Sequence, residues 1–312
     1  MRKLVLAWNR FWFAPVDPFG LALFRVVFGA GMFAVYFVRL LDFGFMFSEK
    51  GILSYAQSVK LMPEMYRPVI PWHWVLQNDG VTGALAALLL LGLAGITVGW
   101  IGRRGTWLVF ILHLCFQNRN WAVVYGPDLV VTFWFFYLCF ARTTEHLVWR
   151  PYSRRGARPA SLVNHPIQDV GTRMSLRFFQ LQLCIIYAYS GLEKAKGVPW
   201  WQGDALWITF ANTQLTTADY SFIHHIPAVL AVLTFATLLW EVYFVCLVWI
   251  RPLRKYVLGF GVLLHLGIGV SVGLGFFSYF MIITYLHFLD PSQLKRGWRL
   301  VTDRVRPRPR TA

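Results

Sequence analysis

Runs of about 20 apolar residues recur along this chain, and they constrain its fold more than anything else in it. A hydrocarbon core about 30 Å thick needs about 20 helical residues to cross it. Backbone groups inside lipid must bond within their own segment, so such runs fold as helices. Apolar runs fall at 21–41, 81–101, 105–125, 128–141, 174–191, 227–250, 256–275 and 276–289. The expectation is an all-α fold: a polytopic integral membrane helical bundle over residues 1–290 with about eight transmembrane helices. The runs at 128–141 and 276–289 are short, and a locally thinned bilayer would accommodate them. Residues 291–312 read as a basic cytoplasmic tail, ending in the Pro-broken RVRPRPR of Arg304 to Arg310.

Charge fixes the orientation. Only 14% of residues are charged, against about 25% in soluble domains. Of the 30 Lys and Arg, 22 fall on one side of the eight-helix arrangement and six on the other, with Arg25 and Arg39 near the ends of the first span. Long cationic side chains there can snorkel to water. The positive-inside rule then places both termini in the cytoplasm, in a multi-pass protein of the plasma (inner) membrane. A net charge of +16 in a soluble chain would suggest nucleic acid. Here the cations sit in short loops between apolar runs, with no recognition module, so no nucleic acid partner is expected. The partner is the lipid bilayer. Cys115, Cys139, Cys184 and Cys246 each fall inside an apolar run without CxxC spacing, so they read as buried small residues. Residues 1–19 hold Arg2, Lys3, Arg10, Asp17 and two prolines, unlike a cleavable signal peptide.

Two polar motifs fall on the outer side. The first, YAYSGLEKAKGVPWWQGDAL (Tyr187 to Leu206), begins at the end of the fifth helix. Gly191 and Gly197 permit turns, Pro199 stops the helix, and Trp200 and Trp201 suit a membrane interface. Lys194 stands near that boundary. A lysine drawn partly out of water can serve as a base; the plainer alternative is a solvated lysine paired with Glu193 or Asp204. The second motif, NRNWAVVYGPD (Asn118 to Asp128), brings Asn118, Arg119, Asn120 and Tyr125 together as hydrogen-bonding groups for a polar ligand. Its alternative is a helix-ending turn, with Asp128 as a cap. Within the membrane, His113, Glu241 and His265 lie at one depth by residue count, and Glu241 and His265 are expected to form an intramembrane polar pair. Buried hydrogen bonding outweighs a metal site there, and no metal is expected. The chain carries no P-loop, GxSxG, HExxH or dinucleotide fingerprint.

Taken together, DPFGLALFRVVFG (Asp17 to Gly29), NRNWAVVYGPD, the GLEK stretch with its paired Trp, LLWEVYF (Leu238 to Phe244) and LLHLGIGVSVGLGFFSY (Leu263 to Tyr279) resemble the HTTM-domain membrane proteins, bacterial relatives of vitamin K-dependent γ-carboxylase. The resemblance implies a reduced quinone of the vitamin K or menaquinone type as cofactor. It implies an oxygenase or carboxylase reaction at the outer face, with Lys194, at the family's GxxK position, as catalytic base. Asn118, Arg119, Asn120, Tyr125, Trp200 and Trp201 would line the ligand, and a small peptide is a candidate substrate. The carboxylases carry a histidine after the asparagine matching Asn120, where this chain has Trp121. The competing reading is a non-catalytic membrane protein acting in maturation or partner binding; a transporter ranks last, because the intramembrane charges are too few for a pathway.

Overall fold

The computed structural model describes residues 1–64, 67, 73–144, 146–149 and 166–305. Most of the Arg-rich stretch 142–173 and the last seven tail residues lie outside the described residues. The described residues are helical, with one isolated bridge, Val16 to Ile167, and no strand. In chain order the α-helices are α1 (Arg2–Phe13), α2 (Phe19–Leu41), α3 (Phe43–Met46), α4 (Tyr55–Leu61), α5 (His73–Leu76), α6 (Asp79–Val98), α7 (Arg103–Arg119) and α8 (Gly126–Leu138). Then follow α9 (Val170–Ala195), α10 (Val198–Gln202), α11 (Ala205–Ala211), α12 (Pro227–Leu247), α13 (Arg251–Ser271), α14 (Gly275–Thr284) and α15 (Pro291–Val305). Among the described residues four helices are long and apolar enough to cross a membrane: α2, α6, α12 and α13. Helices also stand at the other four expected positions. There α8 and α14 are short, while α7 and α9 carry more polar residues.

The chain divides into two compact units, Met1–Arg177 with Leu289–Ala312, and Phe178–Phe288. In the first unit α2 lies close along α6; a Cβ at Gly29 would stand 2.6 Å from Thr97 Oγ1. Buried polar side chains tie α2, α7 and α8 together. Tyr36 Oη meets His113 Nδ1 at 2.7 Å, and His113 Nε2 meets Thr132 Oγ1 at 3.0 Å. Gln117 Nε2 donates to Thr132 Oγ1 and to the Asp128 carbonyl. Polar groups in a low-dielectric interior are stable only when so partnered. Neither arginine of α2 snorkels. Arg39 pairs with Asp128 at 3.0 Å, and Arg25 is 1% exposed, with its guanidinium on backbone carbonyls. The tail is not a separate element at its start: α15 packs on α2, and Lys295 meets Asp17 at 2.6 Å. Cys246 is exposed rather than buried; the other three cysteines are buried, and all four are free.

Asp169 anchors the start of α9. Its Oδ1 accepts from Thr172 N and Thr172 Oγ1, both at 2.7 Å, and meets Arg103 at 2.6 Å. Burial raises the carboxyl, but the bonds from Thr172 and Arg103 outweigh it and hold it below its ordinary value. A depressed folded value means the stabilisation is present above the unfolded pKa of about 3.9 and is lost as pH falls through the folded one. Asp169→Ala is therefore expected to cost about 1–2 kcal/mol near neutrality, mostly as a lost cap. The difference from wild type should shrink in acid. Thermal melts of both proteins across that pH range check this.

Candidate functional site

The second unit is built around one face of α9. Tyr187, Ser190, Gly191 and Lys194 follow i, i+3, i+4, i+7 spacing, so they share that face. It lies against α12. A Cβ at Gly191 would stand 2.8 Å from Val242 N and 3.0 Å from Glu241 Cβ. Only a glycine leaves room for this approach. One turn further on, Lys194 Nζ reaches Glu241 Oε2 at 2.7 Å. The ammonium also donates to Ser190 Oγ and lies 5.5 Å from the Trp200 ring centroid. Glu241 Oε2 is buried, and the Lys194 ammonium is its partner among the described residues. The two side chains differ in access: Lys194 is 26% exposed and Glu241 9%.

This geometry corrects two expectations. Glu241 does not pair with His265; it pairs with Lys194. His265 Nε2 instead meets Tyr187 Oη at 2.7 Å, and Tyr187 Oη meets Tyr285 Oη at 2.6 Å. Tyr187 and Lys194 share one face of α9, so the Tyr–His–Tyr chain and the ion pair lie along the same helix face. Trp240 and Phe244 close on Tyr187 with centroids at 4.7 and 4.5 Å, and Phe277 meets the His265 ring at 5.5 Å. His265 Nδ1 is buried without a hydrogen-bond partner among the described residues. Second, Lys194 stands in the last turn of α9 rather than beyond the helix end. Glu241 is the fifteenth residue of α12, about 21 Å along the helix from Pro227 and about 9 Å from Leu247. The lysine head is drawn down to that level.

The bland pairing of Lys194 with Glu193 or Asp204 is not what forms, since Glu193 binds Lys196 at 2.6 Å. Trp200 and Trp201 close the turn after α9. Trp201 Nε1 donates to the Ala195 carbonyl at 2.7 Å, and Gly203, at φ 84°, ends α10 where a Cβ would strike Ala231. Of the two, only Trp200 stands beside Lys194.

The Asn118–Tyr125 group belongs to the first unit, and its polar atoms serve the fold. Arg119 is fully buried; its Nη1 donates to the Leu53 carbonyl and its Nη2 meets Glu49 at 3.3 Å. Asn120 donates to the Met46 carbonyl and accepts from Ala122 N. The Asn118 carbonyl accepts from Ser58 Oγ. Tyr125 N donates to Asp128, which sits three residues inside α8 and reaches back to cap it. Arg119 and Asn120 therefore pin the 46–58 stretch to the end of α7, the structural alternative for this motif. Sequence reasoning passed over Tyr187 and Ser190, although their spacing to Lys194 on one helix was readable. Tyr285, 98 residues from Tyr187, left no such signal.

Residues 163–292 match the family model of the HTTM domain. The matched HTTM stretch holds Lys194, Glu241, Tyr187, His265 and Tyr285. It supports the HTTM family and a multi-pass membrane protein. The Asp17–Gly29 and Asn118–Asp128 segments lie outside it. No curated protein and no solved structure matches the chain. Among the described residues no three His, Cys, Asp or Glu are grouped to hold a metal ion.

The role of Gly191 is open to a direct check. Gly191→Ala is expected to push α9 from α12 by the few tenths of an ångström its Cβ lacks, costing about 1–3 kcal/mol. It should also loosen the Lys194–Glu241 contact. Thermal melts of Gly191→Ala and wild type in one detergent check the cost.

Proposed function

We propose that this HTTM protein is a membrane enzyme related to the vitamin K-dependent γ-carboxylases, in which the Lys194–Glu241 couple takes a proton from a lipid-soluble hydroquinone. One observation carries the reading: a part-exposed lysine is backed at 2.7 Å by a buried carboxylate inside an apolar helix. Intramembrane acid–base pairs are costly and mark functional sites. The residues fit a quinone by their chemistry. Lys194 Nζ, once neutral, offers a proton acceptor for a ring hydroxyl, the Trp200 ring lies beside it, and His265 Nδ1 is a buried nitrogen without a partner among the described residues. A reduced quinone would supply an acidic hydroxyl and electrons for oxygen.

The chain's own part is proton handling. Transfer from the Lys194 ammonium to the Glu241 carboxylate leaves a neutral amine and a carboxylic acid. The amine then accepts the hydroxyl proton, and the couple has gained one proton in all. Glu241 thus lets Lys194 act as a base, and the ammonium that results faces the conjugate anion of the hydroxyl. On the positive-inside argument both termini are cytoplasmic, in the plasma membrane. A small peptide fits as final substrate within the same reading.

The test is oxygen-dependent conversion of reduced vitamin K or menaquinone to its epoxide by purified protein, with bicarbonate present, read by mass spectrometry. Wild type should form epoxide, and Lys194→Ala and Glu241→Gln should each lose at least about a hundredfold in rate. No product from wild type across several quinones would sink the enzymatic reading and favour a non-catalytic maturation or partner-binding role.

A further inference from the structure

We propose that α1 docks on an anionic lipid surface at the membrane face where the basic loops gather. Its sequence, RKLVLAWNRFWF, contains three cations and no acidic residue. On a helical wheel Leu4, Val5, Trp8, Phe11 and Trp12 form one apolar stripe, with Arg2, Lys3 and Arg10 on the opposite side. None of its residues is buried: Leu4 is 75% exposed and Trp8 61%. A stripe of this size does not stay in water, and it needs a cover.

Two features identify the cover. The first is position. Five residues separate Phe13 from Phe19, the start of the α2 span, so α1 cannot leave the span's end by more than about 20 Å. The second is anchoring. Arg173 Nε and Arg177 Nε both donate to the Phe11 carbonyl, at 2.9 and 3.1 Å, and Arg173 Nη2 donates to the Arg10 carbonyl. The Arg177 guanidinium also lies 4.0 Å from the Phe11 ring centroid. These bonds satisfy carbonyls of the last turn and oppose its dipole. They hold the C-terminal end of α1, and among the described residues nothing covers Leu4, Val5 and Trp8. A cationic helix with an open apolar stripe, held within reach of a span, matches the boundary between anionic headgroups and acyl chains. The α15 helix of the same unit carries the same signature, with Arg296 and Arg299 beside exposed Leu300 and Val301.

The experiment uses the full chain with Val5→Cys in a Cys246→Ala background, labelled with bimane. The protein is reconstituted into phosphatidylcholine vesicles with and without phosphatidylglycerol. Quenching is read with aqueous acrylamide and with acyl-brominated lipid. The expected result is quenching by brominated lipid and at least about threefold less acrylamide access than a label at Gln57→Cys. Protection should be greater with phosphatidylglycerol, and Arg2→Glu/Lys3→Glu/Arg10→Glu should abolish that increment. A label open to acrylamide and untouched by brominated lipid in both vesicles overturns the proposal. So does protection identical in the two lipids and indifferent to charge reversal. Protection that persists in lipid-free detergent and rises with protein concentration also overturns it, in favour of a second copy of the chain. None of these outcomes depends on whether the protein turns over a quinone.

Discussion

Lys194→Met is expected to abolish turnover and to destabilise the second unit, whereas Lys194→Met with Glu241→Met restores the stability without the turnover. Glu241 is 9% exposed at its side chain, and the Lys194 ammonium is the partner of its Oε2 among the described residues. Removing the ammonium strands a carboxylate inside an apolar helix. Breaking a buried pair by one partner costs about 3–5 kcal/mol. Lys194 keeps some access to its surroundings, at 26% exposure, so about 2–3 kcal/mol is the better figure here. Replacing both partners by apolar groups of similar volume removes the stranded charge and is often neutral or stabilising. Thermal melts of the two single variants, the double variant and wild type in one detergent form the cycle. If Lys194→Met melts like wild type, the ion pair contributes nothing. If the double variant is as unstable as the single, the loss comes from packing of the lysine stem.

Turnover must not return in the double variant, and this separates the two roles of the pair. A purely structural pair would be rescued in every readout once its charges are removed together. A proton-handling couple would be rescued in stability alone. Glu241→Gln refines this, since an amide keeps the shape and accepts no proton.

Helix positions were legible in the sequence because apolar length and loop charge both report on the bilayer. Ends shifted where polar chemistry intervened: the expected helix over 174–191 is α9, which starts at Val170 under its Asp169 cap and runs on through Lys194. The same extension carries Lys194 into the last turn of the helix. Reading Gly191 as a turn residue ended the helix there, but Gly191 is helical and serves as a contact point for α12. Depth counting put Glu241 and His265 within the membrane but could not give helix rotation, which decides that Glu241 faces Lys194 and His265 faces Tyr187. The Asn118–Tyr125 motif looked like a ligand site because its residues are rich in donors. Its partners are backbone carbonyls 66 and 74 residues away, at Leu53 and Met46, and no local pattern announces them.

Arg25→Leu is expected to be the most damaging single change in the first unit. The last four carbonyls of a helix lack intrahelical partners, and in α6 each of the four is accounted for. Gly95 O accepts from Gly99, Trp100 and Ile101, and Val98 O accepts from Trp149 N. Ile96 O and Thr97 O accept from Arg25 Nη1. Arg25 Nη2 also donates to the His146 and Leu147 carbonyls, at 3.2 and 2.8 Å. Gly99 makes the site possible: its φ of 85° turns the chain, and a Cβ there would stand 2.8 Å from the guanidinium. Among the described residues no carboxylate stands beside the charge, and four carbonyl dipoles disperse it. Charge-assisted bonds contribute about 1.5–3 kcal/mol each when partners are well placed. Losing four together at a buried site is expected to cost about 4–5 kcal/mol, near the upper limit for one substitution. Arg25→Lys keeps the charge but offers three donors from one atom, and it cannot fork between α6 and the 146–147 backbone. It should recover less than half of the loss. Limited proteolysis after Leu147, with thermal melts of the three proteins, measures this directly. Wild-type resistance in Arg25→Leu would mean that α6 and the 146–149 segment hold together without the guanidinium.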